Sequence, residues 1–312
     1  MTWSWFELHY LALSPLHIGF HKFGLVQRTR TYIPGRALWG AFVNRFVLAN
    51  FAGSSPPDYK RAGEWLEENV RFSYFFPYLE DESTPLLPWF DPDRGGFYFG
   101  YRSGNSPPYS LTAEQFERCF IHILGQTAIS PDTNTATAAS LHETEFLAHK
   151  VRTPGSGQVR RVFFIGYVGI KKTNRVNPDL WSPWREITVG GDRGYGYGRL
   201  RLSSNPRPLK EGQAPFSLPG ASITDPGAVH WPEKLPLPAH VEISPDLSMA
   251  GDVEPLVGRE TTPGDDSRKF GQKISPVTKC WVPGSVLLEP LPESTRFSID
   301  PLGIWKLNPH KG

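Results

Sequence analysis

GGDRGYGYGRL, Gly190 to Leu200, packs five glycines, two tyrosines and two arginines into eleven residues, and a strand-like run follows it. Three structures suit so much bare backbone beside rings and positive charge: a tight turn, a flexible low-complexity patch, or a cradle for phosphates. The stretch precedes a strand instead of joining a strand to a helix, and it comes late in the chain, so it is not a dinucleotide-binding fingerprint. It also lacks the GK[ST] ending of a P-loop, and nucleotide hydrolysis has no support. As a cradle, the glycines would bring N–H groups close to a phosphate, Arg193 and Arg199 would supply fork-shaped donors, and Tyr195 and Tyr197 would offer faces to unpaired bases. As a turn, the same rings would pack across neighbouring strands. The chemistry of the stretch leaves both open.

Upstream, FELHYLAL (Phe6 to Leu13) alternates Phe6, Leu8, Tyr10 and Ala12 with Glu7 and His9, the pattern of a half-buried strand. Pro34-Gly35 marks a turn, and Leu38, Ala41, Phe42, Phe46 and Ala49 then recur near helical spacing. RFSYFFPYL (Arg71 to Leu79) reads as a buried strand, and Leu79 to Ser110, rich in Pro, Gly and Asp, as a long loop or insertion. Thr112 and Gln115 form a capping box for a helix whose apolar stripe is Phe116, Cys119, Phe120, Ile123 and Leu124. SLHETEFLAHKV and RRVFFIGYVGI predict two strands joined as a hairpin, with Gly155 and Gly157 in the connection. A short helical stretch, Asp179 to Arg185, precedes the glycine-rich loop, and YGRLRLSS is the last strand of this part. The order β-α-β-loop-α-β-β-α-β predicts an α+β fold of ferredoxin-like type over residues 1–203. Composition shifts after Ser204. A proline-dense connector leads into a smaller, irregular, β-rich part over 204–312, whose best strand is VLLEP (Val286 to Pro290).

The chain has 312 residues, 39% hydrophobic, 13% aromatic and 21% charged, as a globular protein does. No run approaches the roughly 20 apolar residues of a membrane span, and MTWSWFELHY has no basic n-region ahead of an apolar core, so neither a signal peptide nor a membrane partner is expected. Cys119 and Cys280 are the only cysteines. That usage predicts a reducing, cytoplasmic setting, and without CxxC spacing no metal site is expected. Net charge is only +2, but Lys22, Arg28, Arg30 and Arg36 form one acid-free basic segment, and Lys150, Arg152, Arg160, Arg161, Lys171 and Lys172 another.

Three motifs in order, Leu16-His17-Ile18-Gly19, Ile33-Pro34-Gly35-Arg36-Ala37-Leu38-Trp39-Gly40-Ala41, and Gly190 to Leu200, resemble the RAMP superfamily of CRISPR effector proteins. VRFSYFFP (Val70 to Pro77) and TATAASLHETEFL (Thr135 to Leu147) resemble segments between them. The resemblance spans about residues 6 to 203. It implies a ferredoxin-like (RRM-like) domain with a glycine-rich loop and a thumb hairpin. The chain departs from the family pattern at Arg36 and Trp39, where a small residue and a lysine are usual. ISPVTKCWVPGSVLLE (Ile274 to Glu289) resembles a region of the subunits that cap the 5′ handle of the guide RNA in type III effectors.

This resemblance implies a non-catalytic RNA-binding subunit without cofactor or metal. Its partners would be crRNA, a large polymerase-like subunit and backbone subunits, with target RNA met indirectly. Backbone subunits that cut target RNA carry an aspartate before the IPG motif. His17 to Tyr32 contains no acid to hold a metal or polarise an attacking hydroxyl. Candidate RNA contacts are His17, Gly19, Lys22, Arg28, Arg30, Pro34, Gly35, Arg36 and Trp39; Arg152, Arg160 and Arg161 on the hairpin thumb; Gly190, Gly191, Arg193, Gly194, Tyr195, Gly196, Tyr197 and Gly198; and Lys279. A guide-processing endoribonuclease of the same superfamily is the alternative, with His17, His21 or His142 as general acid or base. A backbone-type subunit without its cleavage aspartate is another. Outside RNA binding, Glu143 with Glu145, or Asp265 with Asp266, would be the carboxylate pairs of an unrelated enzyme. Their spacing and neighbours suit solvated or structural roles better.

Overall fold

Alternation in the first strand sets the architecture. The computed structural model describes residues 3–50, 58–80, 82, 84–105, 107–152, 157–172, 178–260, 273–292 and 295–308. In chain order these form β1 (Trp3–Ala12), β2 (Gly19–Phe23), β3 (Val26–Thr29), α1 (Gly35–Asn50), α2 (Tyr59–Asn69), β4 (Val70–Phe72) and β5 (Phe76–Leu79). Then come β6 (Pro88–Phe90), β7 (Phe97–Phe99), β8 (Leu111–Thr112), α3 (Ala113–Phe120), β9 (Ile121–Gln126), β10 (His142–Leu147), β11 (Lys150–Arg152) and β12 (Val159–Lys171). A 3-10 turn (Pro178–Trp184), β13 (Glu186–Thr188) and β14 (Arg199–Leu202) complete this part. Successive side chains of β1 point to opposite faces. Leu8, Tyr10 and Ala12 enter one core and Trp5 another.

β1 is the centre of the main sheet. It runs antiparallel to β12, from Trp3 opposite Lys171 to Leu11 opposite Phe163, and antiparallel to β14 on its other side. β4 and β5 pair with the far side of β12, and β13 with the far side of β14, all antiparallel. α1 covers the Leu8 face with Leu38, Ala41, Phe42 and Val47, all buried. Leu38, Phe42 and Val47 each contribute about 1.5–3 kcal/mol by leaving water. The short helical stretch expected over Asp179 to Arg185 forms as the 3-10 turn. Its Trp184 stacks on Phe42 at 4.6 Å, and the Trp184 carbonyl accepts from the Tyr10 hydroxyl at 2.7 Å.

The other face of the sheet is covered as well, so β1 is buried on both sides instead of on one. Its polar residues serve each other there. The His9 Nε2 lies 2.8 Å from Glu7 Oε1, and the Tyr167 hydroxyl donates to Glu7 Oε2 at 3.0 Å. The His9 hydrogen bond, outweighing the opposing effect of burial, holds the Glu7 carboxyl below its usual range. The cover is a sheet from beyond residue 204, with strand order Ser222–Ile223, Val229–His230, Arg296–Ile299, Trp305–Asn308, Val241–Glu242, Thr278–Trp281, Val253–Leu256 among the described residues. Val241, Phe297 and Trp305 from this sheet, with Trp231 just after one of its strands, share one core with Trp5, Tyr74, Phe76, Ile165 and Tyr167. The expected strand at VLLEP is short, Val286–Leu287, and pairs with Met249–Ala250.

A third layer stands apart. β2, β3, β10 and β9 make a four-stranded sheet in that order, with β3 parallel to β10. The predicted helix from Thr112 forms with its capping box intact: Gln115 N–H donates to Thr112 Oγ1 at 3.2 Å, and Thr112 N–H to Gln115 Oε1 at 2.9 Å. It ends at Phe120, not Leu124, because Ile121–Gln126 pairs with β10 along its whole length. Ile123 and Leu124, expected on a buried stripe, are exposed. The stretch Leu79 to Ser110, expected as a loop, carries β6 and β7, and β8 completes their small three-stranded sheet. The predicted hairpin forms only at its tip: β11 pairs with β12, Lys150 opposite Arg161 and Arg152 opposite Val159, whereas His142–Leu147, expected in the same strand, pairs with β9 in the four-stranded sheet. Gly155 of its connection lies outside the described residues, as do Asp265 and Asp266. Among the described residues no helix is long and apolar enough to cross a membrane, and no cluster of His, Cys, Asp or Glu could hold a metal ion.

Candidate nucleic-acid interface

The glycine-rich loop is closed at its neck and open at its tip. Val189 N–H donates to the Gly198 carbonyl at 2.9 Å. Gly191 N–H donates to the His17 carbonyl and Gly198 N–H to the Pro15 carbonyl, both at 2.8 Å, which ties the loop to the Leu16-His17-Ile18-Gly19 motif. Gly198 has φ +81°, and a Cβ there would collide with the Val189 carbonyl. Gly190 has φ +76°, and a Cβ there would collide with the His17 carbonyl. Both glycines are required by the protein's own backbone. The tip differs. Nothing lies within 4 Å of where a Gly194 Cβ would be, and Tyr195 is 66% exposed. Arg193 is exposed, and its Nε donates to the Gly190 carbonyl at 3.0 Å. The two tyrosines therefore part company: Tyr195 faces solvent, whereas Tyr197 is buried with its ring edge-on to Phe146 at 5.6 Å.

Several predicted RNA contacts lie in the interior. His17 is 6% exposed, and its Nδ1 donates to the Glu145 carbonyl at 2.7 Å. Gly35, at the start of α1, is buried against the Leu302 carbonyl, so the turn at Leu302–Gly303 covers the helix end beside Pro34. The Arg36 guanidinium lies against the backbone of Gly258. Trp39 packs over Gly63 of α2 and against the core below α1. Arg30 pairs with Glu254 at 2.7 Å and sits 4.6 Å from the Phe20 ring centroid. The basic hairpin residues Arg160 and Arg161 pair with Glu82 and Glu80. Arg28 pairs with Glu145 at 2.9 Å while remaining partly exposed. Glu145, expected to face solvent with Glu143, is buried, and its Oε2 accepts from the Thr29 N–H at 3.1 Å.

The remaining candidates lie at the surface. Lys22 and Gly19 lie on β2, whose residues are all exposed. Arg193, Gly194, Tyr195 and Gly196 form the loop tip, and Arg152 and Lys279 are exposed elsewhere. Arg199 and Arg201, two apart on β14, project from the same face and are both exposed, and so is Arg185, whose carbonyl accepts from Leu202 N–H at 2.8 Å. Glu186 stands opposite Arg201 in the ladder. The RLRL alternation was the signal for Arg201, since it makes every second residue a surface cation. The His21 ring is exposed beside Phe20 at 4.1 Å, and His142 Nδ1 donates to the Ser140 carbonyl at 3.0 Å.

No family model and no curated protein sequence matches the chain. Solved structures do. A chain of the type III-B Cmr-beta complex bound to cognate target RNA and AMPPnP aligns with a TM-score of 0.53 at 12% identity, over 90% of this chain and 85% of that one. A chain of Cmr-beta bound to cognate target RNA aligns with a TM-score of 0.50 at 12% identity, over 90% and 86%. At this identity the likeness is one of fold: a strand-rich α+β chain of the kind found in that effector complex.

Proposed function

We propose that this chain is a non-catalytic RNA-binding subunit of a type III CRISPR effector complex. It would grip the 5′ handle of the guide RNA and dock to neighbouring subunits. The observation that carries the proposal is the division of labour in the glycine-rich loop. Gly190 and Gly198 serve the protein's own backbone, while Gly194 has open space beside it, Tyr195 is exposed, and the exposed Arg193 rests on the loop's own Gly190 carbonyl. An exposed ring, an exposed guanidinium and a peptide without a side chain suit a strand of RNA, whose bases stack and whose phosphates accept. Lys22, Arg199 and Arg201 add exposed positive charge. The fold shared with Cmr-beta chains and the ordered motifs shared with RAMP proteins support the same conclusion.

In this proposal residues 1–203 form a ferredoxin-like domain. The order β4/β5–β12–β1–β14, with antiparallel neighbours throughout, is the order such a domain requires. Residues 204–312 form the smaller β-rich part. RNA would not lie on the open sheet face that RRM domains use, because the core around Trp231 and Trp305 covers that face. It would run along loop tips and strand edges. The acid-free segment from His17 to Tyr32 is consistent with holding RNA without cutting it.

Binding of a labelled CRISPR repeat RNA over a salt series is the test, with metal-free incubation reporting cleavage in the same samples. Affinity that falls steeply with salt, with the RNA left whole, is expected. Arg193→Ala should weaken binding by about 1–3 kcal/mol, the range for a charge-assisted contact. Site-specific cleavage would favour a guide-processing endoribonuclease, and an unchanged affinity in Arg193→Ala would remove the loop from the interface.

A further inference from the structure

The open edges of the sheets are not equally protected. The outer strand β2 carries Lys22 and a break in register between Gly19 and Lys22. The edge strand Val253–Leu256 of the C-terminal sheet contains Pro255, and the edge strand β13 is only three residues long. Lysine, irregular register, proline and shortness all keep an edge from pairing with another chain. β9 is the other edge of the four-stranded sheet and has none of them. Its six residues, IHILGQ, include no lysine, arginine, acid or proline. His122 and Gly125 are exposed, Ile123 is 55% exposed and Leu124 47%.

The ladder fixes which backbone groups of β9 face outward. Leu147 exchanges both of its backbone bonds with Leu16, and Glu143 N–H donates to the Leu25 carbonyl. Their opposite numbers, Ile121 and Gly125, therefore form non-hydrogen-bonded pairs with β10, and by alternation so does Ile123. The N–H and C=O of these residues point away from β10. Ile121 N–H turns back to the Glu117 carbonyl of α3. The N–H and C=O of Ile123 and Gly125 remain on the open side, with no partner among the described residues.

This edge is complementary to itself. Set antiparallel to its own copy about a two-fold axis at Leu124, Ile123 meets Gly125 of the second copy, and Gly125 meets Ile123. In that register the outward N–H and C=O groups of both residues all find partners. The branched Ile123 lies beside a residue without a side chain, Leu124 faces Leu124 in a closely spaced pair, and the strand carries no charge to repel its copy. We infer that the free chain forms a two-fold dimer through β9, joining two four-stranded sheets edge to edge. The pairing goes beyond the RNA-binding proposal and does not depend on it.

One strand pair is a small contact, so the dimer is reversible, with a Kd on the order of 10–100 µM. Sedimentation equilibrium of the full chain should show a monomer–dimer equilibrium, and Ile123→Lys should raise its Kd at least about tenfold by placing a lysine on the edge. Leu124→Cys in a Cys119→Ser background tests the register, because directly opposed Cα atoms about 4.5 Å apart are within disulfide reach. Oxidation with copper phenanthroline should link the two copies on a non-reducing gel. Ile123→Cys in the same background, offset by two residues from its mate, should link little, and adding Ile123→Lys to Leu124→Cys should suppress the link. Cys280 is buried and stays out of the reaction. The altered side chains are at least partly exposed, so circular dichroism should be unchanged. A wild-type Kd above ~1 mM would overturn the pairing and leave the RNA-binding proposal standing. Equal linking at positions 123 and 124, or a dimer indifferent to Ile123→Lys, would overturn it as well.

Discussion

Arg30 Nη1 lies 2.7 Å from Glu254 Oε1, joining the end of β3 to a strand of the C-terminal sheet across 224 positions of sequence. Both side chains are nearly buried. Glu254 also meets His240 Nε2, whose ring partner Nδ1 lies 2.7 Å from the Tyr74 hydroxyl, and Arg30 Nη1 donates to the Tyr32 hydroxyl at 2.9 Å. This network sits where the two sheets face each other.

Removing one partner of a buried pair strands the other charge. Arg30→Ala should therefore cost about 3–5 kcal/mol, read by urea denaturation. Adding Glu254→Gln should recover part of that loss, because the orphaned charge is gone. A single-variant loss below about 1 kcal/mol would mean that solvent reaches the pair.

Acid should loosen the same junction. Burial depresses the His240 pKa from 6.5 against the opposing pull of Glu254. Burial would raise the Glu254 carboxyl, but the hydrogen bonds from His240 and Arg30 outweigh it and hold the carboxyl below 4.5. For both groups the unfolded state binds more protons, so their stabilisation is present above the unfolded pKa and is lost as pH falls. The window between 6.5 and 4.5 belongs to His240, with His149 and His230, also depressed by burial, adding to it. Thermal melts should show Tm falling across that window, and His240→Gln should flatten the fall without abolishing it.

The two halves of the glycine-rich loop should separate stability from affinity. Gly198→Ala combines a positive φ with a collision at Val189 and should cost at least about 1 kcal/mol of stability. Gly194→Val has open space and should leave the melt unchanged while weakening RNA binding. Equal RNA affinity in Gly194→Val would count against close approach of a strand at the tip.

Trp39 should behave as a packing residue. Trp39→Ala should destabilise by about 3 kcal/mol, the low end for a large aromatic, since the ring is only partly buried. The folded fraction should still bind RNA. A variant with native stability and lost affinity would return Trp39 to the interface.

The sequence announced local structure well where one physical signal acted alone. The alternation around Leu8 and Tyr10, the turn at Pro34-Gly35 and the Thr112–Gln115 box each depend on neighbours in the chain. Ile121–Gln126 failed because its apolar spacing fits a helix and pairing with β10 overrides that preference. α2 went unread although Asp58 caps Arg61 N–H at 2.9 Å and Ala62 and Leu66 share a buried face. The candidate site was legible as a loop but not residue by residue. Whether Arg30 meets RNA or Glu254, or whether Tyr195 or Tyr197 faces out, depends on contacts made hundreds of positions away or across a neighbouring strand.

The core shared by Trp5 and Trp305 also sets a timetable for synthesis. A ribosome adds about 5–20 residues per second, so the aromatic face of the first sheet, complete once Tyr167 is made, waits on the order of 7–28 s for Trp305. During that interval Trp5, Tyr74, Phe76 and Tyr167 would present a sticky surface on a nascent chain. Folding on the ribosome can complete the helix-covered side of the sheet early, but the other side closes only when the last strands emerge. Chaperone demand in the cell, and loss of yield from even short C-terminal truncations, are the biological costs of that arrangement.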